Sequence, residues 1–246
     1  KKAVQSVLKQ PVNDLDPRVP VLYGYSPTLL PKPEDWGAHI TVTGYWQLKQ
    51  PEEWQPPSAL TAFLDAGPPP VYIGFGSMIG QKSQEVIRLS VQAVKALHLR
   101  CVLMVDRTKW PELHDCDDIF FLQSASHSWL FPRMAAIMHH GGAGTTATAL
   151  GAGIPQIIVP FIVDQSFWGH LIAVSGIGPM PLQHKTMRLA HVQDAIVQAV
   201  TDPSMRLRAC TLGDIIRSED GVARAVEIVH AFMQTVKIEE SSSSFA

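Results

Sequence analysis

No apolar run in these 246 residues reaches the roughly 20 residues that span a bilayer, so no transmembrane helix is expected. Basic residues are not in excess either. Twenty Lys and Arg stand against 22 Asp and Glu, a net charge of −2, which argues against a nucleic-acid partner. Cysteine is scarce: Cys101, Cys116 and Cys210 are odd in number, far apart and without CxxC or CxxH spacing. Neither a zinc site nor a disulfide framework is expected from them, and a reducing compartment, the cytoplasm, fits best. The run Val71 to Gly76 is followed by no GxGxxG, since Met78 and Ile79 precede Gly80, and no P-loop lysine is present. The chain opens at Lys1 rather than Met, so a piece of a longer protein is expected.

What remains is 46% hydrophobic, enough for one large α/β domain or two small ones. Strand-like runs fall at Val21–Tyr25, Ile40–Thr43, Val71–Gly76, Cys101–Val105, Ile119–Leu122, Ala136–His139 and Ile154–Phe161. Helix-like runs fall at Ala59–Leu64, Ser83–Leu97, Trp129–Met134, Thr146–Ala152, Gln165–Val174, Met187–Val200, Pro203–Ile216 and Gly221–Val236. Residues 49 to 58 read as a surface linker, and Ser241 to Ser244 as a disordered tail. From Val71 onward strands alternate with helices. That pattern predicts right-handed crossovers and a parallel sheet flanked by helices on both faces, Rossmann-like in class.

Ligands on such sheets sit at the carboxyl ends of the strands, and three polar clusters fall there. The most informative is His139-His140-Gly141-Gly142-Ala143-Gly144-Thr145-Thr146. Glycines and hydroxyls between a strand and a helix present backbone N–H groups to an anion. His140 can add a donor or a positive charge there, whereas His139 points to the other face by strand alternation and reads as structural. Gly74-Phe75-Gly76-Ser77 is either a tight turn with a serine cap or a second phosphate contact. Asp164-Gln165 is either a helix cap or a pair that grips vicinal hydroxyls of a sugar. Phe167 and Trp168 read as packing residues.

These segments resemble the C-terminal, donor-binding domain of family 1 glycosyltransferases with the two-domain GT-B fold, and most of all the sterol 3-beta-glucosyltransferases. The matching stretches are Tyr25-Ser26-Pro27 with Pro31 to Trp36, Thr43 to Trp46, Gly74 to Met78, Trp129 to Arg133, His139 to Thr146, Gly153-Ile154-Pro155, and Pro160-Phe161 with Asp164, Gln165 and Trp168. They extend across roughly residues 20 to 180. The resemblance implies that residues 1–20 lead out of an absent N-terminal domain, that 21–236 form one nucleotide-sugar-binding domain, and that 237–246 are a disordered tail.

The resemblance also implies roles. Gly76, Ser77, His140, Gly142, Gly144 and Thr145 would hold the diphosphate of a UDP-sugar, and Asp164 and Gln165 the hexose. Ser124, Ala125 and His127 would meet the uracil and ribose. Related plant enzymes carry a stacking tryptophan near Ser124, and sterol-type members usually carry Pro where Ser126 stands. The implied reaction is transfer of a hexose, glucose by preference, to a sterol or other hydrophobic alcohol with inversion. It needs no metal and no cofactor. The base and the acceptor pocket would lie in the absent domain, so no catalytic residue is expected in this chain. The intact protein could touch a membrane peripherally. A different class of reading, a nucleotide-sugar-binding subunit active only with a separate acceptor-binding chain, is compatible with the same residues.

Overall fold

The computed structural model describes residues 18–47, 54–76, 81–113 and 116–243. They fall into two compact units, Lys49–Gly213 and the pair of segments Lys1–Leu48 with Asp214–Ala246. The expected domain 21–236 includes segments of both units, its first strands and its last helix belonging to the smaller one.

In the larger unit α1 (Ser58–Asp65) precedes β3 (Val71–Ile73), α2 (Gln81–Ala96), β4 (Cys101–Met104) and β5 (Ile119–Leu122). Then come α3 (His127–Leu130), β6 (Ala136–His139), α4 (Ala143–Ala152), β7 (Gln156–Ile158), α5 (Val163–Val174), α6 (Leu189–Thr201) and α7 (Pro203–Ser218), whose last turns pass into the smaller unit. The five strands form one parallel sheet in the order β5-β4-β3-β6-β7. Chain order therefore reverses between β3 and β6, the place where α/β sheets open a crevice at their carboxyl edge.

Alternation along each strand feeds two cores. Val71, Ile73, Leu103, Met138 and Ile157 point to one face, against Val86 and Val94 of α2 and Val192 and Ile196 of α6. Tyr72, Val102 and Ile137 point to the other, against Leu60 of α1, Leu130 of α3, Phe131 just after it, and Ala149 of α4. Burial of both faces is why these strands read as continuous apolar runs. Asp202 caps α7 by accepting N–H bonds from Ser204 at 2.8 Å and Met205 at 3.1 Å. Asp202→Ala should lower unfolding free energy by about 1 kcal/mol, read from urea denaturation.

Several element ends differ from the sequence reading. The strand expected at Ile154–Phe161 is only Gln156–Ile158, because Pro155 and Pro160 flank it and donate no ladder bonds. The helix expected from Trp129 begins at His127, since the Ser126 hydroxyl accepts from the Trp129 N–H at 3.3 Å; it ends at Leu130 and passes into a 3₁₀ turn, Phe131–Arg133. Helix α4 opens at Ala143 rather than Thr146, and α5 at Val163 rather than Gln165.

In the smaller unit β1 (Val21–Tyr23) pairs parallel with β2 (Ile40–Val42). Tyr23 stacks on Trp36 at 4.6 Å, and the Trp46 indole donates to the Thr43 hydroxyl at 2.8 Å. Glu219 accepts from the Ser26 and Thr28 hydroxyls at 2.7 and 3.0 Å. Helix α8 runs Gly221–Ser243 and so extends into the segment 237–246 expected as a tail. Residues 244–246 lie outside the described residues, as do 1–17 of the expected interdomain segment.

Candidate functional site: an anion-binding crevice at the carboxyl edge of the sheet

Each polar cluster singled out in the sequence follows a strand: Gly76 after β3, Ser124 to His127 after β5, His140 to Thr145 after β6, and Asp164-Gln165 after β7. Parallel pairing puts all four at one edge. Ser77 lies outside the described residues.

Three of the clusters converge. A methyl group built on Gly76 would lie 3.4 Å from His140 Cε1, and one on Gly142 only 2.5 Å from His140 Nε2. One on Gly141 would lie 3.0 Å from the backbone oxygen of Gln165 and 2.7 Å from Ile158 Cγ2. The His140 imidazole is half-buried, and burial pushes its pKa below the ordinary value while the Asp164 carboxylate pulls it partly back up. That carboxylate is therefore within electrostatic reach of the ring.

Helix α4 starts bare. Its N-cap is Gly142, which has no side chain to accept from the first-turn amides, and its first turn holds no acidic residue. A helix N-terminus carries a partial positive charge and unpaired N–H groups. His140 Nδ1 is buried without a hydrogen-bond partner, and so is the Thr146 hydroxyl. A methyl on Gly144 would meet nothing within 4 Å, so this turn borders open space. Unpaired polar atoms at a positively polarised helix end suit an anion.

Of the pair Asp164-Gln165, it is Gln165 that takes the capping role. Asp164 is exposed in the first turn of α5 and is not its cap. Gln165 is buried, and its side-chain oxygen accepts from the backbone N–H groups of Phe161 and Ile162 at 2.8 and 3.2 Å. Only its amide NH₂ remains for a ligand.

His127 is drawn into the core more than expected. Its ring stacks on Phe131 at 4.5 Å, its Nε2 bonds the Tyr72 hydroxyl at 3.1 Å, and burial lowers its pKa. Ser124 is exposed and Ala125 half-buried. Nearby, a cavity of about 500 Å³ opens beyond β3, β4 and β5, with Phe75, Gly76, Met104, Asp106, Trp110 and Gln123 in its walls. The sequence reading missed Asp106, Trp110 and Gln123, which sit in no glycine-rich motif; their only signal is their place after strand ends. Among the described residues no cluster of three His, Cys, Asp or Glu could hold a metal ion.

A parallel sheet flanked by helices on both faces is a fold shared with GT-B glycosyltransferases. Residues 89–232 match the family described as Erythromycin biosynthesis protein CIII-like, C-terminal domain, and the chain belongs to that family. It is 38% identical over 223 residues to a sterol 3-beta-glucosyltransferase of Arabidopsis thaliana, covering 89% of this chain and 34% of that protein. It is 37% identical over 232 residues to the sterol 3-beta-glucosyltransferase of Neosartorya fischeri, covering 89% of this chain and 16% of that protein. The chain thus spans about a third or less of the curated relatives it matches. Among solved structures, the glycosyltransferase of kitacinnamycin superposes with a TM-score of 0.71 at 19% identity, over 87% of this chain and 54% of that one. The calicheamicin glycosyltransferase CalG4 gives 0.70 at 19%, over 96% and 60%. Both share the fold.

Proposed function

We propose that this chain is the donor-binding half of a glycosyltransferase that moves a hexose, glucose by preference, from UDP to a sterol or other hydrophobic alcohol. The observation that carries the reading is the unpaired His140 Nδ1 at the uncapped start of α4, with Asp164 in the same crevice. The names of the relatives support the sterol and the glucose.

In this reading the α4 amides, Thr145 and His140 hold the diphosphate. Gly76 lets the chain approach it. Asp164 accepts from sugar hydroxyls and the Gln165 amide donates to one. Ser124, Ala125 and the exposed side of His127 meet the nucleoside. The cavity walled by Trp110 and Asp106 gives its ring an apolar bed and its ribose an acceptor. During transfer the departing UDP gathers negative charge. In this reading the helix end and His140 face that charge, which lowers the barrier to its departure. Attack by an acceptor hydroxyl from the opposite side of the anomeric carbon inverts it. The base that takes the proton belongs to an acceptor-binding domain outside this chain.

Calorimetry with UDP, UDP-glucose and NAD tests this. UDP and UDP-glucose should bind and NAD should not. His140→Ala should weaken UDP by about tenfold or more, and Thr145→Ala by about fivefold, the range expected for a lost hydrogen bond to a charged group. A folded chain that is silent with UDP would refute the reading.

A further inference from the structure

We propose that His139 is a positioning residue: its imidazole, with Nδ1 bare and Nε2–H given to Gln156, holds the Gly141 N–H and so sets the path of the anion-binding turn. This rests on the donor-site reading above. The sequence suggested only a packed histidine on the far face of β6.

The ring is fully buried, with two polar neighbours of opposite kind. Nδ1 accepts from the Gly141 N–H at 3.1 Å, so it carries no proton. A neutral imidazole keeps one N–H, which must then be on Nε2. That N–H donates to the Gln156 side-chain oxygen, 2.9 Å away on β7. The opposite tautomer would set two N–H groups against each other at Gly141 and leave Nε2 facing an acceptor. The Gly141 N–H, which can only donate, thus sets the tautomer, and the Gln156 oxygen takes up the Nε2 proton that results, while the Gln156 amide nitrogen is buried without a partner.

Gly141 is the hinge of the site. Its φ of +87° turns the chain between His140 and the N-cap Gly142. It also packs against Ile158 and the backbone of Gln165, beside the proposed sugar contacts. Fixing its N–H fixes the direction in which His140 Nδ1 and the α4 amides face. His139 touches no ligand in this scheme and acts through the turn alone.

The full chain carries the test, with His139→Leu, which removes the acceptor, and His139→Asn, whose side-chain oxygen falls near the place of Nδ1. Three readouts are UDP calorimetry, hydrogen exchange at the Gly141 amide, and the long-range ¹H–¹⁵N spectrum of the ring. His139→Leu should weaken UDP by about tenfold or more and speed Gly141 exchange, while His139→Asn should restore both to within about threefold of native. Native-like UDP binding by a folded His139→Leu chain would overturn the proposal. So would rapid Gly141 exchange in the native chain. If His139→Leu fails to fold, the native ring spectrum decides: a proton on Nε2 supports the assignment and one on Nδ1 overturns it. A native chain with a protected Gly141 that ignores UDP would reject the donor reading, and the positioning role with it, while leaving the tautomer lock measured.

Discussion

Gly141→Ala should produce a chain that has lost about 3 kcal/mol of stability and no longer binds UDP measurably. Two effects add. A left-handed backbone at φ +87° disfavours any residue with a Cβ by roughly 1–2 kcal/mol. The new methyl would also press on Ile158 Cγ2 at 2.7 Å and the Gln165 carbonyl at 3.0 Å, an overpacking of roughly 1–3 kcal/mol. The backbone carbonyl cannot swing away as a side chain could, so the turn must move, and His140 moves with it. Gly144→Ala is the informative companion. Its methyl meets no protein atom within 4 Å. Stability should hold or rise by about 0.5 kcal/mol, because alanine favours a helix more than glycine does. UDP binding should nevertheless weaken, because the methyl occupies the ligand's space. Urea denaturation and UDP calorimetry on both variants check the pair. Equal binding by both would show that the turn does not shape the site.

The second large effect is acid destabilisation. Burial pushes the His139 imidazole from 6.5 down to about 3; the hydrogen bond to Gln156 pulls it partly back up, while His140 and His127 add to the push. The unfolded chain then binds a proton that the folded one refuses. Stability is complete above the unfolded value of about 6.5 and declines as the pH falls toward the folded value. The slope from this one group approaches about 1.4 kcal/mol per pH unit. Denaturation at pH 7, 5 and 4 should show a steep loss, and His139→Asn should make it shallower. An unchanged slope in that variant would assign the acid sensitivity to other groups.

Much of this was readable from the chain because its signals are local. Val71-Tyr72-Ile73, Ile119 to Leu122 and Ala136 to His139 are apolar runs bounded by breakers, and burial on both faces makes such runs conspicuous. Glycines directly after β6 marked the crevice for the same reason. Features that depend on a partner distant in sequence stayed hidden. Gln165 as a backward cap requires the bend at Phe161-Ile162. The link between His139 and Gln156 requires β6 to lie beside β7. Trp110 and Asp106 reach the cavity only through the packing of the segment after β4. The small unit joins Ser26 and Thr28 to Glu219 across most of the chain, and no window of sequence carries such a pairing.

The strand order has a kinetic consequence. β3 pairs with β6, so Val71 to Ile73 must find Ala136 to Met138 after the whole β4–β5 excursion has been threaded. Long loop closures of this kind are slow because chain entropy is lost before any contact compensates for it. Gly76 and His140 sit at the ends of those two strands. In refolding from denaturant, the capacity to hold ligand should therefore emerge with this late zippering, after most of the helical signal has already returned.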